Sequence, residues 1–176
     1  MSIITTLPDN YNLLSPISFR AIFTKLPTVA YFCQSINVPG VSVGETTRAT
    51  PFIDYSEPGD SIRFDDLSLS FLVDEEMKNY LELVTWLRGI GSPSDPSKER
   101  AVLVKDRTAS QRSGIFTDCT ITMLTNNMNA NKTLTFIDCW PNSVSALQLE
   151  STAGDVTAIT ANATFKYRDF NIETVT

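Results

Sequence analysis

Residues 62–89 read IRFDDLSLSFLVDEEMKNYLELVTWLRG. Ile62 and Phe64 are followed, after Asp65-Asp66, by Leu67, Leu69, Phe71 and Val73, an apolar residue at every second position. That spacing puts one set of side chains on one face of an extended chain. It predicts two short extended pieces with a bulge or turn at the aspartates, the second being the clearest strand in the sequence. The period then changes. Asp74 offers an N-cap, Glu75 and Glu76 put negative charge in a first turn, and Met77, Tyr80, Leu81, Val84 and Leu87 recur at helical spacing until Gly89. A helix packed on a sheet through this stripe is predicted, with Leu83 and Trp86 lying off it and asking for a second contact.

Upstream, PISFRAIFT (16–24) alternates with Ile17, Phe19, Ala21 and Phe23 on one face, and Leu26-Pro27 closes it. VAYFCQSINV (29–38) reads as a second strand ended by Pro39-Gly40, so the two segments are expected to form a hairpin. Residues 41–60 are rich in Thr, Gly and Pro and carry an aromatic patch from Phe52 to Tyr55 without strong periodicity, which reads as a long, partly extended arm. Residues 91–113 hold two prolines, many charges and one apolar island from Ala101 to Val104; a loop that long is usually functional or mobile.

Beyond it lie strand candidates at 114–124, 132–139 and 155–168, with the turn TNNMNANK between the first two. In the last, Ala161, Ala163, Phe165 and Tyr167 alternate with Thr160, Asn162, Thr164 and Lys166, and alternation alone leaves open which face is wet. Roughly six or seven strands around one mid-sequence helix, without a repeat of 20 to 50 residues, predict a mainly β fold: a β-sandwich or barrel with one flanking α-helix, residues 1–176 forming a single domain.

Composition narrows the function. A chain of 176 residues can bury roughly 70% of its unfolded surface without disulfides or a metal. Cys33, Cys119 and Cys139 are odd in number and widely spaced, so they read as reduced thiols in a cytoplasm. The opening MSIITTLPDNYNLLSP has neither a basic start nor an apolar core, and no run approaches the roughly 20 apolar residues of a membrane helix. A soluble intracellular product with no membrane segment is expected. Net charge −6 is opposite to the basic footprint of a nucleic-acid binder. With no histidine, the commonest general base and imidazole ligand are missing.

The candidate chemistry is thin. Thr117-Asp118-Cys119 echoes Ile137-Asp138-Cys139, and two thiolates with two carboxylates could build a zinc site, but zinc cysteines normally pair at short spacing. Packed thiols are the expectation. Asp65-Asp66 and Glu75-Glu76 need no catalytic role at a strand edge and a helix start. The sequons at Asn131 and Asn162 mean nothing without a secretory route. No phosphate-binding glycine loop, nucleophile elbow or zinc-protease motif occurs, and a Ser or Cys nucleophile would lack a histidine partner. No enzyme activity, cofactor or metal is expected.

LSPISFRAIFTKLPTVAYFCQSINVPGVSVG, then FDDLSLSFLVDEEMKNYLELVTWLRGI, FIDCWPNSVSALQLES and VTAITANATFKYRDF, in that order and spacing, resemble the tail tube proteins of contractile-tailed (T4-like) phages, including the tube-like domain of tube-initiating baseplate proteins. The resemblance spans nearly the whole chain. The passage from Leu67 to Trp86 and the closing block after Trp140-Pro141 are its most specific parts.

The resemblance implies a virion protein whose sheets join those of five neighbours into a hexameric ring with a continuous inner β-barrel. Such rings stack into a tube that conducts DNA without specific binding and meets the tail sheath and the baseplate initiators. On that reading the arm and the long loop are devices for contacts between subunits or rings. Phe52, Ile53, Tyr55, Arg63, Leu83, Trp86, Lys98, Arg100, Val102 and Val104 are then the candidate interface residues. Length favours the main tube subunit, because initiators of the family carry extra sequence; a tube initiator or baseplate hub adaptor, or a tube terminator of the same fold, is the alternative. A tail-associated hydrolase and a baseplate or fibre attachment module are the readings from other classes.

Overall fold

The computed structural model describes residues 13–91, 114–150 and 158–175. Along them run β1 (Phe19–Phe23), α1 (Pro27–Tyr31), β2 (Cys33–Ile36), β3 (Val41–Arg48), β4 (Tyr55–Phe64), β5 (Leu67–Leu72), α2 (Lys78–Ile90), β6 (Thr117–Leu124), β7 (Ala130–Val144), β8 (Thr160–Lys166) and β9 (Asp169–Thr174). Every pairing is antiparallel. β1, β6, the first part of β7 and β9 make one sheet; the last residues of β7 with β8, β5 and β2 make the other. Among the described residues β3 and β4 pair only with each other.

β7 serves both sheets because it turns a corner. Asp138 there takes a left-handed backbone (φ 54°) and the register against β6 slips between Thr117 and Cys119, a bulge that bends the strand from one sheet into the other. An aspartate tolerates this conformation better than most residues. Its amide donates to Asp118 Oδ1 at 3.4 Å and its carboxylate pairs with Arg168 Nη2 at 2.6 Å. The echoed Asp-Cys pairs are therefore the two sides of a sandwich corner. The result is the expected mainly β sandwich with a flanking helix, and among the described residues the sheets stay open at β1, β2 and β9.

The alternating stretch does what its period predicts. Leu67, Leu69 and Phe71 are buried and sit opposite Phe165, Ala163 and Ala161. The odd-numbered face of the last predicted strand is thus the dry one. Phe23, Leu26, Ile121, Leu134 and Phe136 complete the core from the other sheet and its connection, and Phe165 meets Phe23 at 5.3 Å and Trp86 at 6.4 Å between ring centres. Each such side chain, fully buried, contributes about 1.5–3 kcal/mol.

Several expectations are corrected. Segments 16–24 and 29–38 are not a hairpin: Pro27 occupies the first turn of α1, where its missing N–H costs nothing. The helix carries the chain across the sandwich, so β1 pairs with β6 and β2 with β5. The arm is itself a hairpin, β3–β4. The strand expected over 155–168 ends at Lys166, and β9 follows on the other sheet; residues 151–157 lie outside the described residues.

The helix starts later than expected. Asp74 and Met77 form a turn, with Met77 left-handed (φ 55°), before Lys78 opens α2 and donates its amide to Asp74 Oδ1 at 2.8 Å. Buried Asn79 donates from Nδ2 to Leu72 O at 2.7 Å and accepts the Tyr80 amide at 2.8 Å, pinning the helix start to the end of β5. The buried face is Asn79, Leu83, Trp86 and Gly89, whereas Leu81 is exposed. Leu83 and Trp86 thus belong to the subunit's own core rather than to an interface. Spacing finds an apolar stripe, but the neighbours decide which edge of it is covered: α1, tied to α2 through the Thr28 hydroxyl and the Glu82 carboxylate, and Ile115, whose carbonyl accepts Trp86 Nε1 at 2.9 Å.

Candidate assembly surface

The β3–β4 hairpin has no dry side. Val41, Val43, Ile62, Ile53 and Tyr55 are all more than half exposed and Phe52 is 98% exposed. Such apolar side chains on a two-stranded ribbon do not stabilise an isolated subunit. The ribbon is nevertheless well built. Its base is held where Phe64 packs against Tyr167 and Phe170, which continue to Phe136. Tyr167 Oη donates to Asp65 O at 2.9 Å and the Asp65 amide to Gly40 O at 3.0 Å. Burial first, then the Asp65 and Asp66 carboxylates, pushes the Tyr167 phenol up to about 12, so it stays a donor.

Midway, the register slips between Val43 and Glu45, and a Cβ on Gly59 would stand 2.9 Å from Gly44 O. The two strands touch there as only glycine allows. At the tip, Thr50 Oγ1 accepts the Ile53 amide at 3.3 Å and donates back to the Ile53 carbonyl, around Pro51. That turn presents Phe52, Ile53, Asp54 and Tyr55 as an ordered knob.

The interface residues expected from sequence divide three ways. Phe52, Ile53 and Tyr55 gather at this tip, and Arg63 is exposed near the hairpin's base opposite Ser42. Leu83 and Trp86 are in the core. Lys98, Arg100, Val102 and Val104 lie outside the described residues. Among the described residues β1, β2 and β9 are edge strands; sequence reasoning missed the first two because reading those segments as partners of each other hid both.

The outer face of the second sheet is neutral. Ser68 and Ser70 of β5 stand opposite Thr164 and Asn162 of β8. Their side chains bond across strands: Ser70 to Asn162, and Ser143 with Thr164 at 2.6 Å. Lys166, at the edge of this ladder, pairs with Asp66.

The thiols are packing groups. Cys119 and Cys139 are buried. Burial, reinforced by Asp118, raises Cys139 to about 12, and burial with the neighbouring thiols raises Cys119 as well. Protonated thiols of this kind are poor nucleophiles and metal ligands. Among the described residues no group of three or more His, Cys, Asp or Glu is placed to hold a metal ion, and no helix is long and apolar enough to cross a membrane.

With this geometry in hand, comparison with known proteins is consistent. The family model described as "Phage tail tube protein" matches residues 8–173. The "Tail tube terminator protein" of Enterobacteria phage T4 is 25% identical over 144 residues, covering 80% of this chain and 76% of that protein. Among solved structures, a chain of the tube-terminating cap of the anti-feeding prophage superposes with TM-score 0.62 at 12% identity, covering 99% of this chain and 100% of that one. A chain of the extended sheath–tube complex of an extracellular contractile injection system, PVC, gives TM-score 0.57 at 11% identity, with 94% of each chain covered. At these identities the two structures share the fold.

Proposed function

The chain belongs to the phage tail tube protein family, and from that premise we propose that it is a structural subunit that joins copies of itself, hexameric by the family resemblance, into a ring closing the end of a contractile tail's tube. The observation that carries this reading is the β3–β4 arm, a well-built ribbon whose apolar side chains find no cover among the described residues. The open edges of β1 and β2 supply the complementary surface, since edges left unpaired invite another chain. The terminal position is favoured by the T4 terminator relative and by the near-complete overlap with the prophage cap.

In such a ring the role is mechanical rather than catalytic. The hydroxyl and amide ladder of the second sheet suits a wall past which DNA moves, because it offers phosphates no array of cations. Contacts with sheath and baseplate belong to the same reading. A second reading, the main tube subunit, is supported by the fold match to the sheath–tube complex.

Electron microscopy of the purified protein across a concentration series separates them. Rings that do not lengthen, or subunits that add only to the ends of pre-formed tubes, are expected of a terminal ring. Hollow tubes from the protein alone would make it the main subunit. A monomer that joins nothing would overturn both.

A further inference from the structure

We propose that the tip of one subunit's β3–β4 arm seats in the groove between the free edges of β1 and β2 of the next subunit. This rests on the ring-forming reading above and names the surface that closes it.

The groove, of about 620 Å³, runs along the open edges of both sheets beside α1 and is lined by Ile17, Phe19, Arg20, Ile22, Tyr31 and Gln34 among others. Ile17 is 85% and Tyr31 83% exposed, and Ile22 is nearly half exposed. A free-standing monomer guards such edges with lysine, proline or inward-facing charge. β1 (FRAIF) has Arg20 alone and β2 (CQSI) has no charge, whereas β4 carries Glu57, Pro58, Asp60 and Arg63. The remaining edge strand, β9 (DFNIET), carries Asp169 and Glu173, so the unguarded edges are the groove's, and the guarded ribbon is the arm.

Arm tip and groove match in chemistry. The tip offers Phe52, Ile53 and Tyr55 with Asp54 the sole charge from Pro51 to Tyr55; the groove offers apolar walls with Arg20 as the sole charged residue among its described lining. An aromatic knob in an apolar pocket with one opposed charge pair is the composition of a binding hot spot. The Thr50 turn presets the knob, so little ordering cost remains. Because tip and groove are different parts of one surface, the contact is head-to-tail, which closes into a ring when the rotation permits.

Charge reversal tests it. Arg20→Asp and Asp54→Arg should each weaken self-association by at least about tenfold, measured by sedimentation and microscopy under conditions where the wild type forms rings. Each variant should melt like the wild type, both residues being exposed. Mixed in equal amounts the two should assemble, because every junction in an alternating ring then pairs opposite charges. As a second measurement, Ile22→Cys and Phe52→Cys, each in a Cys33→Ser background, should form a disulfide between subunits only when mixed.

If both charge variants form rings as readily as the wild type, or if the mixture fails to recover and no 22–52 link forms, the groove assignment is wrong while ring formation stands. If the wild type forms no ring alone or on a pre-formed tube, the ring reading falls and the groove assignment with it.

Discussion

β5–β8 and β3–β4 are both antiparallel pairs of comparable length, yet they have opposite fates in the subunit. In the first, Leu67, Leu69 and Phe71 face Phe165, Ala163 and Ala161 and none is more than 2% exposed. In the second, Val41 and Val43 face Phe64 and Ile62, and all but Phe64 remain largely in water. Backbone hydrogen bonding is alike in the two; burial is not. A ladder therefore tells little about what stabilises the fold, and apolar side chains on a ladder with no buried face are evidence of a surface completed elsewhere.

The contrast can be broken most forcefully with one aromatic from each pair. Phe165→Ala should cost about 3–5 kcal/mol of folding stability through the cavity it leaves beside Phe23 and Trp86. Phe52→Ala should stay within about 0.5 kcal/mol of the wild type yet weaken assembly about tenfold or more. Denaturant titration and sedimentation on the same two proteins check both halves. Asn79→Ala comes next, at about 2–3 kcal/mol, because it removes a fully buried side chain that donates to the Leu72 carbonyl and frees the start of α2.

Raising the pH should act on the sandwich and its corner. Cys139 is held at about 12 against an ordinary 9.0, so the folded state keeps a proton that the unfolded chain releases. Stability is full below about pH 9 and falls as pH rises from there toward 12, by up to about 1.4 kcal/mol per pH unit for one such thiol. Tyr167, also raised to about 12 from 10.0, acts in the same direction above about pH 10. A flat thermal midpoint from pH 7 to 11 would contradict this. The smallest effect expected is a gain: Thr117 Oγ1 is buried without a hydrogen-bond partner among the described residues, so Thr117→Val should be neutral or stabilise by up to about 1 kcal/mol in the same titration.

Much of the sandwich was legible because its signals are local. The alternation from Leu67 to Phe71 and the charged, then apolar, passage into α2 need no knowledge of the rest of the chain. What escaped depends on distant partners. Pro27 marks a strand end and a helix first turn equally well, and only the position of β6 and β5 decides that β1 and β2 part company. Leu83 and Trp86 look like the poorer face of a helix until α1 and Ile115 are seen beside them. β9 follows β8 with no Gly or Pro between them, so the break at Tyr167-Arg168 leaves no mark in composition. At the candidate site the aromatic tip stood out as Phe52, Ile53 and Tyr55 in a turn-rich stretch. The groove stayed hidden because an edge is defined by what is missing next to it.

The pairing of early strands with late ones has a consequence for how the protein is made. Ala21 lies opposite Ile121 and Leu67 opposite Phe165, so neither sheet is complete until β8 and β9 have left the ribosome. Contacts so remote in sequence fold slowly. The delay also means that an arm emerging early meets no finished groove on its own polysome neighbours, and polymerisation waits for complete subunits.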